Sequence, residues 1–87
     1  MRKLGLIGGM SWVSTRTYYE HINRIVQQRT NPPSSAPLLI ESLDFSRLYG
    51  LQDEEDWRRA AGILADSARR LGQAGAGAIV IGPNSVP

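Results

Sequence analysis

Short apolar runs alternate along this chain with longer segments in which apolar residues recur at helical spacing. This pattern predicts strands separated by helices. An apolar run at residues 3–7 stops at Gly8 and Gly9 and predicts a buried strand. Residues 38–43, apolar except for Glu41 and Ser42, and the apolar run 78–81 predict two further strands, because each is short and bounded by polar, glycine or proline residues.

Between these strands, apolar residues recur at helical spacing. Residues 14–29 predict a helix that Ser11 or Ser14 could cap. A second helix is expected to begin at the acidic run 53–56 and to end before Gly75, a residue suited to helix termination. The first apolar stripe consists of Tyr18, Tyr19, Ile22, Ile25 and Val26. The second helix is expected to bury Trp57, Ala61, Leu64, Ala68 and Leu71 and to expose Arg58, Arg59, Asp66, Arg69, Arg70 and Gln73.

The predicted fold class is therefore α/β: a three-layer βαβαβ unit with a short parallel sheet and right-handed crossovers. The carboxyl ends of parallel strands share one edge, so residues 8–14, 44–52 and 82–87 are expected to lie there. The loop of residues 30–37 lies at the opposite edge. Residues 1–87 are predicted to be a single α/β domain, and an incomplete one, since no helix follows the third strand to cover the sheet.

Composition narrows the class of protein. The chain is 41% hydrophobic and 21% charged, as soluble domains are, and its net charge of +2 is too small to favour nucleic acid. No apolar run approaches the ~20 residues of a membrane span, and no signal peptide is recognisable, so we expect a cytoplasmic protein that contacts no membrane. With no cysteine and one histidine, His21, neither a metal site nor a thiol nucleophile is expected.

The turn after the first predicted strand carries the strongest functional signal. Gly8 and Gly9 lack a Cβ, so a ligand can approach the backbone beside the positive end of the following helix. The hydroxyls of Ser11, Ser14 and Thr15 favour a pocket for a carboxylate or phosphate. The alternative is a purely structural turn. The spacing does not match the G-x-G-x-x-G dinucleotide fingerprint, so nucleotide binding is the weaker hypothesis.

Several motifs together resemble the N-terminal half of the aspartate/glutamate racemase family. They are Gly-Leu-Ile-Gly-Gly-Met-Ser-Trp at residues 5–12, Ser-Thr at 14–15, Tyr-Tyr at 18–19 and Ile-Asn at 22–23. The resemblance implies one lobe of a two-lobed amino-acid racemase that uses no cofactor, no pyridoxal included, and binds aspartate or glutamate between its lobes. Such an enzyme removes the Cα proton from one face and returns a proton to the other, with one base from each lobe.

The resemblance also assigns site residues. Met10 and Gln52 match positions around the substrate, and Asn84 and Ser85 match an Asn-Thr pair; Gly8, Gly9 and Ser11 form the pocket backbone. Pro83 stands where the family has Cys or Thr, and it carries no titratable group. No catalytic residue is therefore intact, and we expect a truncated or diverged lobe that is inactive alone.

A non-enzymatic module is the alternative. An exposed sheet edge could pair with another copy and form a homo-oligomer that retains a pocket for a small carboxylate or another anion.

Overall fold

The computed structural model describes residues 2–9, 11–44 and 53–81, and it confirms the predicted α/β class and element order. The elements are β1 Leu4–Gly8, α1 Trp12–Arg29, β2 Leu38–Ser42, α2 Glu54–Gln73 and β3 Ala78–Ile81. The third strand has its predicted bounds, whereas α1 begins at Trp12 rather than at residue 14. Of residues 44–52, which were expected at the carboxyl edge, all but Asp44 lie outside the described residues.

The strands form a parallel sheet in the order β2-β1-β3. Leu4 of β1 lies opposite Leu38 of β2 and Ala78 of β3, so all strands run in register. The central strand holds the core, because the side chains of Leu6 and Ile7 are 0% and 1% exposed. The chain leaves β1 toward one neighbour and then crosses to the other, which creates a topological switch point at the carboxyl edge between β1 and β3.

The helices cover opposite faces of the sheet, as a three-layer unit requires. A Cβ placed on Gly5 would approach the Cβ of Leu71 on α2 to 3.3 Å. One placed on Gly8 would approach the Cγ2 of Thr15 on α1 to 2.8 Å. Residues three positions apart in a strand point to opposite faces, so α1 and α2 lie on different sides of β1.

The face predicted for burial on α2 is partly wrong. The buried side chains are Ala60, Ser67 and Leu71, whereas Trp57 is 60% exposed and Ala61 is also exposed. Small residues at positions 60 and 67 allow the helix to approach the sheet closely, and the Ser67 hydroxyl has a hydrogen-bond partner that makes its burial favourable. Packing against the sheet, rather than hydropathy alone, therefore selects the buried face.

The apolar stripe of α1 is less buried than predicted. No residue of this helix is buried; Ile22 and Val26 are half-buried, while Tyr18, Tyr19 and Ile25 remain exposed. Among the described elements, α1 packs mainly on β1. Of the helices in the described ranges, neither combines the length and the hydropathy needed to cross a membrane.

Candidate functional site

The turn between β1 and α1 lies at the carboxyl edge of the sheet, and we call its described residues, Gly8, Gly9 and Ser11, the glycine turn. Gly9 has a φ of +104°, a region that favours glycine. A Cβ at this position would collide with the backbone of Leu43, just after β2. The Leu43 amide donates to the Gly8 carbonyl oxygen at 2.9 Å, and Leu43 packs against Ala60 of α2. The turn is therefore held tightly against the end of β2.

Ser11 caps the helix that follows the turn. Its backbone is extended, and its Oγ accepts from the amide of Ser14 at 3.4 Å. Its carbonyl oxygen accepts from the amide of Thr15 at 3.1 Å. The first amides of a helix have no partner within the helix, and they lie at the positive end of its dipole. The start of α1 therefore lies with its amide donors at the carboxyl edge of the sheet.

The hydroxyl of Thr15 lies inside the glycine turn. Its Oγ1 accepts from the amide of Gly9 at 3.1 Å and donates to the carbonyl oxygen of Ser11 at 3.3 Å. The sequence pattern favoured a ligand pocket lined by this hydroxyl, with a purely structural turn as the alternative. The structure uses it to hold the turn, and the Gly9 amide is occupied by the same contact.

The other predicted site residues are not part of the described structure. Met10, Gln52, Pro83, Asn84 and Ser85 all lie outside residues 2–9, 11–44 and 53–81, so their roles stay predictions. The described part of β3 ends at Ile81, whose partner on β1 is Ile7. The strand thus ends at the same edge as the glycine turn.

Large apolar side chains are exposed near this edge. Trp12, Val13, Trp57 and Ile81 are 69%, 42%, 60% and 58% exposed. Trp12 and Val13 are the first two residues of α1, Trp57 lies in the first turn of α2, and Ile81 ends β3. The Arg16 guanidinium lies 5.7 Å from the ring centre of Trp12, within cation–π range.

The arginines of α2 form no free basic patch. Arg58 pairs with Glu54, Arg59 with Asp56 and Arg69 with Asp66, all within the helix. This confirms the predicted exposed polar face for these side chains. Across the three described ranges, no group of His, Cys, Asp and Glu residues could hold a metal ion.

The sequence pattern did not predict one polar cluster, which consists of Glu41, Ser67 and Arg70. Glu41 on β2 accepts from the Ser67 hydroxyl at 2.5 Å and from Arg70 Nη2 at 3.0 Å. The hydrogen bond from Ser67, followed by that from Arg70, lowers the pKa of the Glu41 carboxyl from its ordinary value of 4.5. The available signal was a charged residue inside a mainly apolar strand. The cluster ties α2 to β2 and lies on the face of the sheet opposite to α1.

Comparison with known proteins finds relatives of this chain. A family model for Asp/Glu/hydantoin racemases matches residues 7–87. A crystal structure from Yersinia pestis, of a protein provisionally assigned as an Asp/Glu racemase, has 44% sequence identity and a TM-score of 0.88. The similarity covers 98% of this chain and 37% of that chain. The chain thus spans 37% of the length of this relative.

Proposed function

This chain belongs to the Asp/Glu/hydantoin racemase family, and from that membership we propose that it supplies the carboxylate-binding side of a cofactor-independent amino-acid racemase site. The proposed ligand is a small acidic amino acid, aspartate or glutamate. The proposed role of these 87 residues is to bind and orient the ligand, without transferring its Cα proton.

The glycine turn at the switch point is the observation that carries this proposal. Gly9 places the backbone at the edge without a side chain, and Ser11 starts α1 beside it. A helix amino terminus is a favourable site for an anion, because free amides and the helix dipole act together. Ligands of open α/β sheets bind at the carboxyl edge where the strand order reverses, which is where this turn lies.

The chemistry of racemisation explains why binding and proton transfer are separated in the proposal. Removing a Cα proton leaves a carbanion, which donors around the α-carboxylate stabilise. Inversion also needs an acid/base group on each face of the carbon. The chain has no cysteine, and Pro83 occupies the position at which the resemblance implies Cys or Thr. These 87 residues therefore supply no thiol as a proton carrier to the proposed pocket.

A single set of NMR measurements tests the proposal. Purified protein is titrated with L-aspartate, L-glutamate and, as a control, L-lysine, and the same samples are followed in D₂O for loss of the Cα–H signal. We expect saturable shifts of glycine-turn amides with the acidic amino acids and no enzymatic deuterium incorporation. Deuterium uptake at an enzymatic rate would refute the lack of proton transfer, and unchanged amide shifts would refute acidic amino-acid binding.

The exposed edge of β3 favours a second candidate, a non-enzymatic assembly module. Ile81 is 58% exposed, Ala78 is exposed, and β3 has no described strand on its other side. Unpaired apolar edges tend to pair with another chain. Light scattering coupled to size-exclusion chromatography separates the candidates: a stable oligomer without amino-acid affinity supports assembly, and a monomer that binds aspartate or glutamate supports the racemase-site proposal.

A further inference from the structure

The hydroxyl of Thr15 makes two hydrogen bonds with the glycine turn. Its Oγ1 donates to the carbonyl oxygen of Ser11, four residues earlier, a bond that threonine often makes in helices. The same oxygen accepts from the Gly9 amide at 3.1 Å. One hydroxyl therefore joins the start and the end of the turn and uses its donor and an acceptor position at once.

Both branches of the Thr15 side chain, the hydroxyl and the methyl group, face Gly8. A Cβ on Gly8 would approach Thr15 Cγ2 to 2.8 Å, so the threonine side chain occupies the space that a side chain at position 8 would need. Close packing on this side restricts rotation about the Cα–Cβ bond. The absence of a side chain at Gly8 and the branching of Thr15 are therefore complementary.

We propose that Thr15 is a positioning residue for the ligand carboxylate: its hydroxyl holds the glycine turn in the conformation that binds. Because Oγ1 occupies the Gly9 amide and Ser11 accepts from the amides of Ser14 and Thr15, the donors proposed for the ligand are the first two amides of α1, those of Trp12 and Val13. This inference rests on the proposed function, since it takes an amino-acid carboxylate as the ligand. Thr15 acts through the backbone and needs no contact with the ligand.

Three variants separate this role from a general effect on the helix. Thr15→Val keeps the shape and removes the hydroxyl, while Thr15→Ser keeps the hydroxyl and removes the methyl group. Thr17→Val is the matched control, because the exposed Thr17 hydroxyl also donates to a carbonyl four residues earlier, that of Val13, at 3.1 Å.

The first measurement needs no ligand. Hydrogen exchange and the proton chemical shift of the Gly9 amide are recorded by NMR for each variant. We expect Thr15→Val to speed exchange of this amide about tenfold, the size expected for loss of one hydrogen bond, and to shift its proton upfield. Thr15→Ser should retain most of the protection, and Thr17→Val should leave it unchanged. An unchanged Gly9 amide in Thr15→Val would overturn the assignment of Thr15.

The second measurement is the affinity for L-aspartate and L-glutamate. We expect Thr15→Val to weaken binding about tenfold, Thr15→Ser to restore most of it, and Thr17→Val to bind like the original chain. Equal affinities of Thr15→Val and Thr17→Val would overturn the positioning role. If the original chain binds neither amino acid, the proposed function fails and the ligand-positioning role fails with it. Faster exchange of the Gly9 amide in Thr15→Val would then still show that the Thr15 hydroxyl holds the glycine turn.

Discussion

Arg70 on α2 binds Glu41 on β2 through two of its nitrogens. Nε lies 3.1 Å from Oε2, and Nη2 lies 3.0 Å from Oε1, so the planar guanidinium matches the carboxylate. The fully buried Ser67 donates to the same carboxylate. This relationship joins elements far apart in sequence and fixes α2 along the strand that leads to Leu43 and the glycine turn.

The Glu41 cluster predicts a dependence of stability on pH. The pKa of Glu41 is lowered in the folded state, so its stabilisation is present above the ordinary value of 4.5 and is lost as pH falls through the folded pKa. Glu41→Gln is expected to reduce the free energy of unfolding at neutral pH by about 1 kcal/mol, because two partners lose a charged acceptor at a partly exposed site. Urea unfolding at neutral and acidic pH measures the difference, which should shrink below pH 4.5.

The matched control for this prediction is Glu20→Gln. Glu20 pairs with Arg24 within α1, and both side chains are more than half exposed. Such surface pairs contribute little. We expect an effect close to zero for this variant, and equal losses in the two variants would contradict a special role for Glu41.

Alanine substitutions at Gly9 and Gly75 separate two causes of lost stability, backbone strain and steric collision. Both have positive φ, +104° and +111°, but a Cβ on Gly9 would meet the Leu43 backbone and one on Gly75 would meet nothing within 4 Å. Gly75→Ala should therefore lower the free energy of unfolding by about 1–2 kcal/mol, the cost of strain alone. Gly9→Ala should lower it by clearly more. Denaturant unfolding compares them, and similar losses would show that Leu43 does not restrict the turn.

Gly8 and Thr15 should be energetically coupled. Gly8→Ala overpacks the space that Thr15 fills and is expected to destabilise the chain by about 1–3 kcal/mol. Adding Thr15→Ala removes Cγ2 and Oγ1, the nearest colliding atoms, so the double variant should lose less stability than the sum of the single variants. A double-mutant cycle measured by thermal unfolding gives the coupling. Strict additivity would mean that the two residues do not share this space.

Gly62 offers a stabilising substitution. It lies inside α2, is exposed, and an added Cβ would have nothing within 4 Å. Gly62→Ala should raise the free energy of unfolding by about 0.5–1 kcal/mol, because alanine has less backbone freedom to lose and favours the helix. Differential scanning calorimetry measures the increase in Tm. Gly72→Ala, in the last turn of the same helix, is the control with a smaller expected gain; no increase in Gly62→Ala would contradict the open environment of this position.

The sequence by itself determined the order and type of the elements and the location of the glycine turn. These follow from local causes: apolar periodicity, serines at the start of the first helix and acidic residues at the start of the second, and glycine at a sharp turn. The family signature at residues 5–12 likewise lies in consecutive residues, and the family comparison confirms the resemblance that it carries.

Only the tertiary structure decided which side chains meet. Periodicity marks an apolar face on α2, yet the sheet buries Ala60 and Ser67 and leaves Trp57 exposed, because close approach requires small side chains. The hydroxyl of Thr15 serves the turn rather than a ligand because β1 brings Gly9 within hydrogen-bond distance of α1. A local pattern records the propensity of each segment, whereas contacts between distant segments depend on how the whole chain packs.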